Sequence, residues 1–268
     1  MRKVALIVLS ILAQGIPISG APEVSVGFDH SWLDRVLATF VNDQGLVDYS
    51  GLKERSGDLE AYVKLLKDMS PKSHPKRFPT RADKLAYWIN AYNAFVLKGV
   101  VDAYPVRSAK DIKMLSGFFN RTYFTAGGQS YTLNAIEHDI LREEFDEPRI
   151  HAAINCASLG CPRMEQAAYG PQQVEERLGE AMRLFIRESR NVRIDRQRKV
   201  VVLSKIFDWF ENDFTEWYRK QHNAKQAAIT DYLRLYLPEA DRDFLGEHSN
   251  IGIEYNDYDW TLNDQALR

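Results

Sequence analysis

Both cysteines of this chain lie in one short segment, "RIHAAINCASLGCP", at residues 149–162. Cys156 and Cys161 are close in sequence, and His151 comes shortly before them. A thiol beside an imidazole suggests nucleophilic chemistry, because the imidazole lowers the pKa of the thiol and the thiolate is the reactive form. The same three side chains could instead bind a metal ion, although their spacing matches no standard zinc motif.

The two thiols could also pair with each other. Cysteines this close in sequence form a disulfide only where the loop turns tightly, with Cα atoms within about 7 Å. Ser158 and Gly160 between them favour such a turn. The sequence therefore leaves four readings open: a structural disulfide, a thiol nucleophile paired with His138 or His151, a redox pair, and a metal site.

A second group of chemically capable residues lies on a predicted helix, 134–145. Stepping this helix at about 100° per residue places Glu137 in the middle of an apolar arc and His138 at its edge. A carboxylate on a buried face is costly unless it is paired. Glu137 could cap the helix together with Asn134, in a capping box, or it could orient a histidine or an arginine in a cleft.

The longest helical pattern, 81–104, shows a similar oddity. Asn93 falls within its apolar face and Asn90 on the flank of that face. Buried amides need hydrogen-bond partners, so the two side chains either hold backbone loops in place or bind a substrate carbonyl.

These residues must be positioned by a mixed set of elements. Helical periodicity is expected at 31–41, 52–69, 81–104, 134–145, 174–185, 204–222 and 225–237. Extended runs are expected at 47–49, 122–125, 130–133, 150–155, 191–204 (a hairpin) and 251–260. The aromatic residues Trp88, Tyr92, Trp209, Phe210, Phe214 and Trp217 are expected in the core. The pattern predicts an α+β fold: a mostly helical single domain packed around a small β-sheet with short hairpins.

The first residues predict export. Arg2 and Lys3 precede an apolar run from Val4 to Leu12, and small residues follow up to Ala21. This arrangement is typical of a cleavable signal peptide, and the run is shorter than the roughly 20 residues of a membrane-spanning helix. We therefore expect a signal peptide at 1–21, a mature α+β domain at 22–268, and a periplasmic or extracellular location.

Composition excludes some partner classes. The 268 residues include 35 basic and 37 acidic side chains, for a formal charge of −2. Nucleic-acid and anionic-membrane binding both favour a basic face. We expect no nucleic-acid partner, no membrane association after cleavage, and no cofactor or metal; the expected ligand is a small molecule or a peptide-like chain.

Several segments together resemble a known family. They are "GLVDYSGL" (45–52), "WINAYNA" (88–94), "IEHDILR" (136–142), the cysteine segment (149–162), "LSKIFDWFENDF" (203–214) and "YDWTLN" (258–263). This set resembles the domain-of-unknown-function 547 family over about residues 30–264. The resemblance implies that Asn90, Asn93, Glu137, His138, Arg142, Arg149, His151, Cys156, Ser158 and Cys161 belong to the family pattern. It implies no reaction.

Our leading hypothesis is a cysteine-dependent hydrolase or acyl-transferase acting on an amide, ester or peptide-like bond. Cys156 is the expected nucleophile and His138 the general base. Glu137 is expected either to orient His138 or to support the site from behind, and Asn90 or Asn93 to stabilise the developing charge. The expected substrate-binding residues are Asn90, Asn93, His151, Ser158 and Arg142. The alternatives are a non-enzymatic binding module with a structural Cys156–Cys161 disulfide and, more remotely, a thiol–disulfide carrier.

Overall fold

The structure, a computed structural model, describes residues 27–113, 117–248 and 250–268, so the predicted signal peptide at 1–21 lies outside it. The α-helices of the described residues are Ser31–Phe40 (α1), Tyr49–Glu54 (α2), Gly57–Asp68 (α3), Arg81–Ala103 (α4), Gly117–Arg121 (α5), Val174–Arg187 (α6), Lys205–Trp209 (α7), Glu211–Gln221 (α8), Ile229–Leu233 (α9) and Glu239–Glu247 (α10). A π-helix spans Ala135–Arg142, and a 3-10 helix spans Pro148–Ala152. The strands are Phe124–Ala126 (β1), Gln129–Tyr131 (β2), Val192–Asp195 (β3), Val200–Leu203 (β4) and Gly252–Tyr255 (β5).

The predicted α+β class is confirmed: helices dominate, and the strands form two small sheets. β1 and β2 make an antiparallel hairpin. In the second sheet β4 is central, antiparallel to β3 and parallel to β5. None of the helices in the described part of the chain combines the length and hydrophobicity needed to cross a bilayer.

Helix α4 is the centre of the larger hydrophobic cluster. It begins at a capping box in which the Thr80 side chain accepts from the Asp83 amide and the Asp83 carboxylate accepts from the Thr80 amide. Nearly all of its middle is buried, on every side, and α2, α3, α6 and the π-helix pack around it. A smaller cluster lies between the β3–β4–β5 sheet and the helices α6 to α9.

The predicted strand at 150–155 is wrong. Pro148 starts a 3-10 helix instead, because its fixed φ suits the first helical turn and its missing N–H costs nothing there. The Glu147 carboxylate accepts a hydrogen bond from the Arg149 amide at 3.2 Å and closes that turn. The apolar run reflects burial on several sides, which a short sequence cannot distinguish from a strand.

The predicted capping box of the 134–145 helix is also wrong. Asn134 itself has helical dihedral angles and its side chain makes no cap hydrogen bond. The Thr132 hydroxyl accepts from the Ala135 amide at 3.1 Å instead. The segment then winds as a π-helix, a form that is rare in proteins overall but that is often found at functional sites.

Some of the remaining helix predictions hold with shifted ends, and others are divided or shortened. The helix expected at 204–222 is divided into α7 and α8 at Phe210. The single helix expected at 52–69 is divided into α2 and α3 at Arg55 and Ser56. Of the helix expected at 225–237, the structure retains only α9, and α10 follows it without having been predicted. The hairpins at β1–β2 and β3–β4 and the final strand β5 are confirmed.

The two core asparagines of α4 hold distant backbone in place. The Asn90 side chain accepts a hydrogen bond from the Tyr169 amide at 2.9 Å and donates one to the Tyr169 carbonyl at 2.8 Å. Asn93 likewise donates to the Ala153 carbonyl at 3.0 Å and accepts from the Asn155 amide at 2.9 Å. Each side-chain amide therefore satisfies a backbone N–H and a backbone carbonyl that lie outside regular secondary structure.

We expect Asn93→Ala to lower the free energy of unfolding by about 2–4 kcal/mol, because it leaves a buried N–H and a buried carbonyl without partners. Chemical denaturation of the full chain measures this. Asn212→Ala, at an exposed position of α8, is the matched control and should stay within about 0.5 kcal/mol of the parent. Equal effects of the two substitutions would contradict the role assigned to Asn93.

Candidate functional site

The two cysteines are bonded to each other. Cys156 and Cys161 form a disulfide whose Cα atoms lie 6.3 Å apart, inside the range that disulfide geometry requires. The loop between them is shaped by Asn155, which accepts from the Ala157 amide at 2.7 Å and donates to the Pro162 carbonyl at 2.6 Å. Ala157 adopts a left-handed φ of 62°, which is unfavourable for a residue with a Cβ, and the Asn155 bond holds it there.

The cysteine loop is also bound to the segment that follows β5. The Leu159 amide donates to the Thr261 carbonyl at 2.9 Å, and the Gly160 amide donates to the Asp259 carbonyl at 2.8 Å. Gly160 is required by close approach, since a Cβ there would lie 2.8 Å from ring carbons of Tyr258. Through these contacts a segment about 100 positions away in the chain reaches the two sulfurs.

Tyr258 is the main polar contact of the disulfide. Its hydroxyl lies 3.1 Å from each sulfur and 2.9 Å from the Ser158 hydroxyl, which is itself 3.1 Å from the Cys156 sulfur. The Cys156 amide donates to the Cys161 sulfur at 2.9 Å. Cys161 is only 4% exposed, whereas Cys156 is partly exposed.

A cavity of about 270 Å³ opens on one side of this loop. Its polar lining is Tyr92, Asn120, Asn134, Glu137, His138, His151, Cys156, Cys161 and Tyr258, and its apolar lining is Phe119, Ile154, Pro162, Ile206, Trp209, Phe210 and Trp260. The cavity thus joins a carboxyl group, two imidazoles, two phenols and both sulfurs within an aromatic wall. Trp209, expected in the core, is 46% exposed and belongs to this wall.

A larger cleft of about 730 Å³ lies against the same loop and shares Cys161, Pro162 and Tyr258 with the cavity. It holds Ser158, and its remaining lining is mostly polar. The smaller cavity is lined by more groups with shifted pKa values than the larger cleft is, so we take that cavity as the candidate site. These groups are Tyr92, Glu137, His138, His151 and Tyr258.

Glu137 is the carboxyl group of the cavity. Tyr92 donates to its Oε2 at 3.1 Å. Burial raises the pKa of Glu137 to about 7, although the Tyr92 hydrogen bond and the charge of Arg142 lower it. The side chain touches cavity space but is surrounded by protein in every other direction, which explains how it can be partly accessible and yet poorly hydrated. It can exchange a proton near neutral pH.

Four side chains form a charged network behind the cavity. Asp213 accepts from Arg142 at 2.6 Å (Nε) and 2.8 Å (Nη2), and its Oδ2 lies 2.7 Å from His151 Nε2. Arg142 Nη1 also lies 2.8 Å from His138 Nδ1. Burial by itself would raise the pKa of Asp213, but the bonds from Arg142 and His151 outweigh it and hold that pKa well below its usual range.

Burial favours the uncharged form of both histidines. Burial lowers the pKa of His138, and the Arg142 charge lowers it further, against the opposing charges of Asp139 and Asp213. Burial also lowers the pKa of His151, although its bond to Asp213 acts in the opposite direction. The His151 ring stacks on Phe210 with the ring centres 4.0 Å apart.

The structure gathers five of the predicted site residues on the cavity: Glu137, His138, His151, Cys156 and Cys161. It does not bring Asn90 and Asn93 there, since both are buried and bound to backbone, so their predicted role in substrate binding is wrong. Ser158 lies on the other cleft but contacts the sulfurs. The predicted Arg142 points to Asp213 and His138 and does not line the cavity.

Two further expectations are corrected. Glu137 does not orient His138, since its carboxylate bonds to Tyr92 and the contact to His138 comes from Arg142. The alternative metal site of His151, Cys156 and Cys161 is also wrong, because the sulfurs bond to each other and His151 Nε2 turns to Asp213. Among the described residues no cluster of metal-binding side chains is formed.

Sequence reasoning missed Asp213 and Tyr258. Asp213 had a usable signal, because it lies between Phe210 and Phe214 on a helix and so places a carboxylate beside an aromatic face. Tyr258 had none, since only folding brings it to the sulfurs. His30, outside the site, bonds to the Tyr62 hydroxyl at 2.7 Å and to Asn90 at 3.1 Å.

The comparisons with known proteins identify one family. The model of the family described as "Protein of unknown function, DUF547" matches residues 76–186, which include α4, the π-helix and the cysteine loop. No curated protein and no solved structure matches the chain. The predicted resemblance is thereby confirmed for this part of the chain.

The raised pKa of Glu137 makes stability depend on pH. Between the ordinary value of 4.5 and about 7 the folded chain holds a proton that the unfolded chain has lost. The contribution of Glu137 to the free energy of unfolding is therefore greatest below pH 4.5. It falls by about 3 kcal/mol in total as the pH rises through 7. We expect Glu137→Gln to remove this loss, so that the variant gains on the parent by about that amount between pH 4.5 and 8.

Urea unfolding at four or five pH values measures the difference between the two proteins. Glu143→Gln, an exposed change on the same stretch of chain, is the control and should leave a constant offset. A constant offset for Glu137→Gln as well would show that burial does not hold the proton on this carboxyl group.

Proposed function

We propose that this protein is a cysteine-dependent enzyme that hydrolyses or transfers the acyl group of a neutral amide, ester or peptide-like substrate. The observation that supports this best is the shared cavity of Cys156, Glu137 and His138, which come from two separated segments of the chain. A nucleophile, a group that exchanges protons near pH 7 and a hydrogen-bonding imidazole are the parts that acyl transfer needs.

The nucleophile is the sulfur of Cys156, because it is the more exposed of the two. In the structure it is bonded to Cys161, so the reaction requires prior reduction. An external dithiol supplies two electrons and two protons, becomes a disulfide itself and leaves two thiols in the cavity. The disulfide form is then the resting state.

Glu137 takes the thiol proton. Its pKa of about 7 leaves a substantial fraction of the carboxylate available at neutral pH, and a base with such a pKa is efficient there. The Cys156 thiolate attacks the carbonyl carbon, a C–S bond forms, and the carbonyl electron pair moves to oxygen. The tetrahedral species collapses, expels the alcohol or amine with the proton from Glu137, and leaves a thioester that water or an acceptor cleaves.

The cavity walls indicate the acyl group. Phe119, Trp209, Phe210 and Trp260 offer aromatic surface, and no lysine or arginine lines the cavity within the described residues. A carboxylate or phosphate substrate would find no countercharge there. An uncharged substrate with an apolar or aromatic acyl group fits this lining.

A second candidate is a non-enzymatic binding module, and the disulfide itself favours it. In that case the bond only makes the cavity wall rigid, and the same aromatic lining binds a small or peptide-like ligand. Export, which residues 1–21 predict, agrees with either proposal, because an oxidising compartment preserves a disulfide. The two proposals differ in whether a free thiol is needed.

We expect a dithiol to expose one fast-reacting thiol in the folded full-length chain. Iodoacetamide followed by peptide mass spectrometry should label Cys156 at least about tenfold faster than Cys161, because Cys161 is buried. Uncharged p-nitrophenyl esters and uncharged thioesters, both with aromatic acyl groups, should turn over only after the disulfide has been reduced. Equal labelling of the two thiols, at the rate of the urea-unfolded chain, would contradict a nucleophilic role.

The cysteine variants separate the two candidates. Cys161→Ala should turn over ester without any reductant, whereas Cys156→Ala should be inactive with or without it. The two substitutions remove the same disulfide and so share its stability cost, which thermal unfolding records. Turnover retained by Cys156→Ala would contradict its role as nucleophile. A folded Cys161→Ala that binds the ester but does not turn it over, with or without reductant, would favour the binding module.

A further inference from the structure

The hydrogen bond between Arg142 and His138 determines which nitrogen of the imidazole carries a proton. A guanidinium group only donates, so His138 Nδ1, 2.8 Å from Arg142 Nη1, must accept. A neutral imidazole that accepts at Nδ1 carries its hydrogen on Nε2. The tautomer of His138 therefore follows from its neighbour.

Arg142 is itself fixed in place. Its two bonds to Asp213 form a fork, and its guanidinium carbon lies 4.9 Å from the centre of the Phe210 ring. Asp213 stays ionised and accepts from His151 as well. Since a fork of this kind fixes orientation as well as charge, Arg142 cannot easily turn away from His138.

Protonation of His138 meets the same constraint. The charged imidazole would carry a hydrogen on Nδ1 and direct it at an Arg142 N–H, with two positive charges in contact. The other charged or titratable groups near the ring are Glu137, Asp139, Asp213 and His151, and the pKa of His138 is still lowered in their presence. The imidazole remains a neutral donor.

We propose that His138 donates its Nε2–H to the substrate oxygen that becomes negative, and that Arg142 is the positioning residue that fixes this tautomer. His138 lines the cavity, and none of the hydrogen bonds between described residues uses its Nε2. A preorganised donor at the developing oxyanion stabilises the transition state. The donor role rests on the proposed function; the tautomer does not.

This assignment reverses the role that the sequence suggested for His138. A general base must offer a free nitrogen lone pair, and the only lone pair of this tautomer is engaged by Arg142. Proton transfer is therefore left to Glu137, and the imidazole acts on the carbonyl. A neutral donor without a cation also explains how the site would prefer an ester or amide carbonyl to a carboxylate.

The tautomer can be tested by long-range 1H–15N NMR of the 15N-labelled full chain. The signals of His138 are those that disappear in His138→Gln. We expect the neutral imidazole to be the Nε2–H form, with a pKa below its ordinary value of about 6.5. Detection of the Nδ1–H form as the neutral tautomer, or of a His138 pKa at or above its ordinary value, would overturn the proposal.

A pair of arginine variants tests the positioning role. In Arg142→Met, the pKa of His138 should rise, because the charge of Arg142 is removed while burial remains, and the ring should populate both neutral tautomers. Arg219→Met, which removes an exposed arginine paired with Glu216 on α8, should leave the His138 signals unchanged. A His138 that keeps the pure Nε2–H form in folded Arg142→Met would show that another group fixes it.

Turnover of the neutral ester tests the donor role separately. His138→Ala should lower kcat by about 100-fold with little change in KM, as loss of an oxyanion donor does, and His138→Gln, which keeps an N–H donor, should lose less. If His138→Ala keeps full turnover while Cys156→Ala loses it, the donor role fails and the proposed function stands. If Cys156→Ala keeps turnover, the proposed function fails whatever the tautomer.

Discussion

The carboxylate of Asp213 holds the polar half of this site together. It binds Arg142 from the π-helix and His151 from the 3-10 helix, and it comes itself from α8. Because its charge is stabilised by both partners, it can remain ionised where burial alone would favour the acid. Without it, Arg142 would lose the carboxylate with which it forms an ion pair, and His151 would lose its hydrogen-bond partner.

The same carboxylate gives the cavity two different kinds of proton. Arg142, oriented by Asp213, keeps His138 as a neutral donor. Glu137 has no ion-pair partner among the described residues, and burial raises its pKa to about 7. Neighbouring positions of one π-helix therefore carry a fixed N–H and a mobile proton. A site that keeps such groups apart in pKa can assign them different roles.

The sulfur side of the cavity depends on backbone contacts. Asn93 and Asn155 fix the approach to the cysteine loop, and the segment after β5 runs alongside the loop through two amide–carbonyl bonds. These contacts position Tyr258 against both sulfurs. The loop is thus fixed by bonds that do not involve the disulfide, so its shape does not depend on the covalent bond alone.

The sequence by itself determined the α+β class, the long helix α4, both hairpins and the segment that contains the cysteines, because periodicity, proline and glycine act over a few residues. It also indicated Glu137 and His138, since a polar residue on an apolar face is visible locally. Only the tertiary structure decided that Asn90, Asn93 and Arg142 do not line the cavity. It also decided the π-helical and 3-10 windings, the Asp213 network and the approach of Tyr258 to the sulfurs. The reason is that a side chain's partner, and with it the side chain's charge and direction, comes from segments that are far apart in the chain and meet only when it folds.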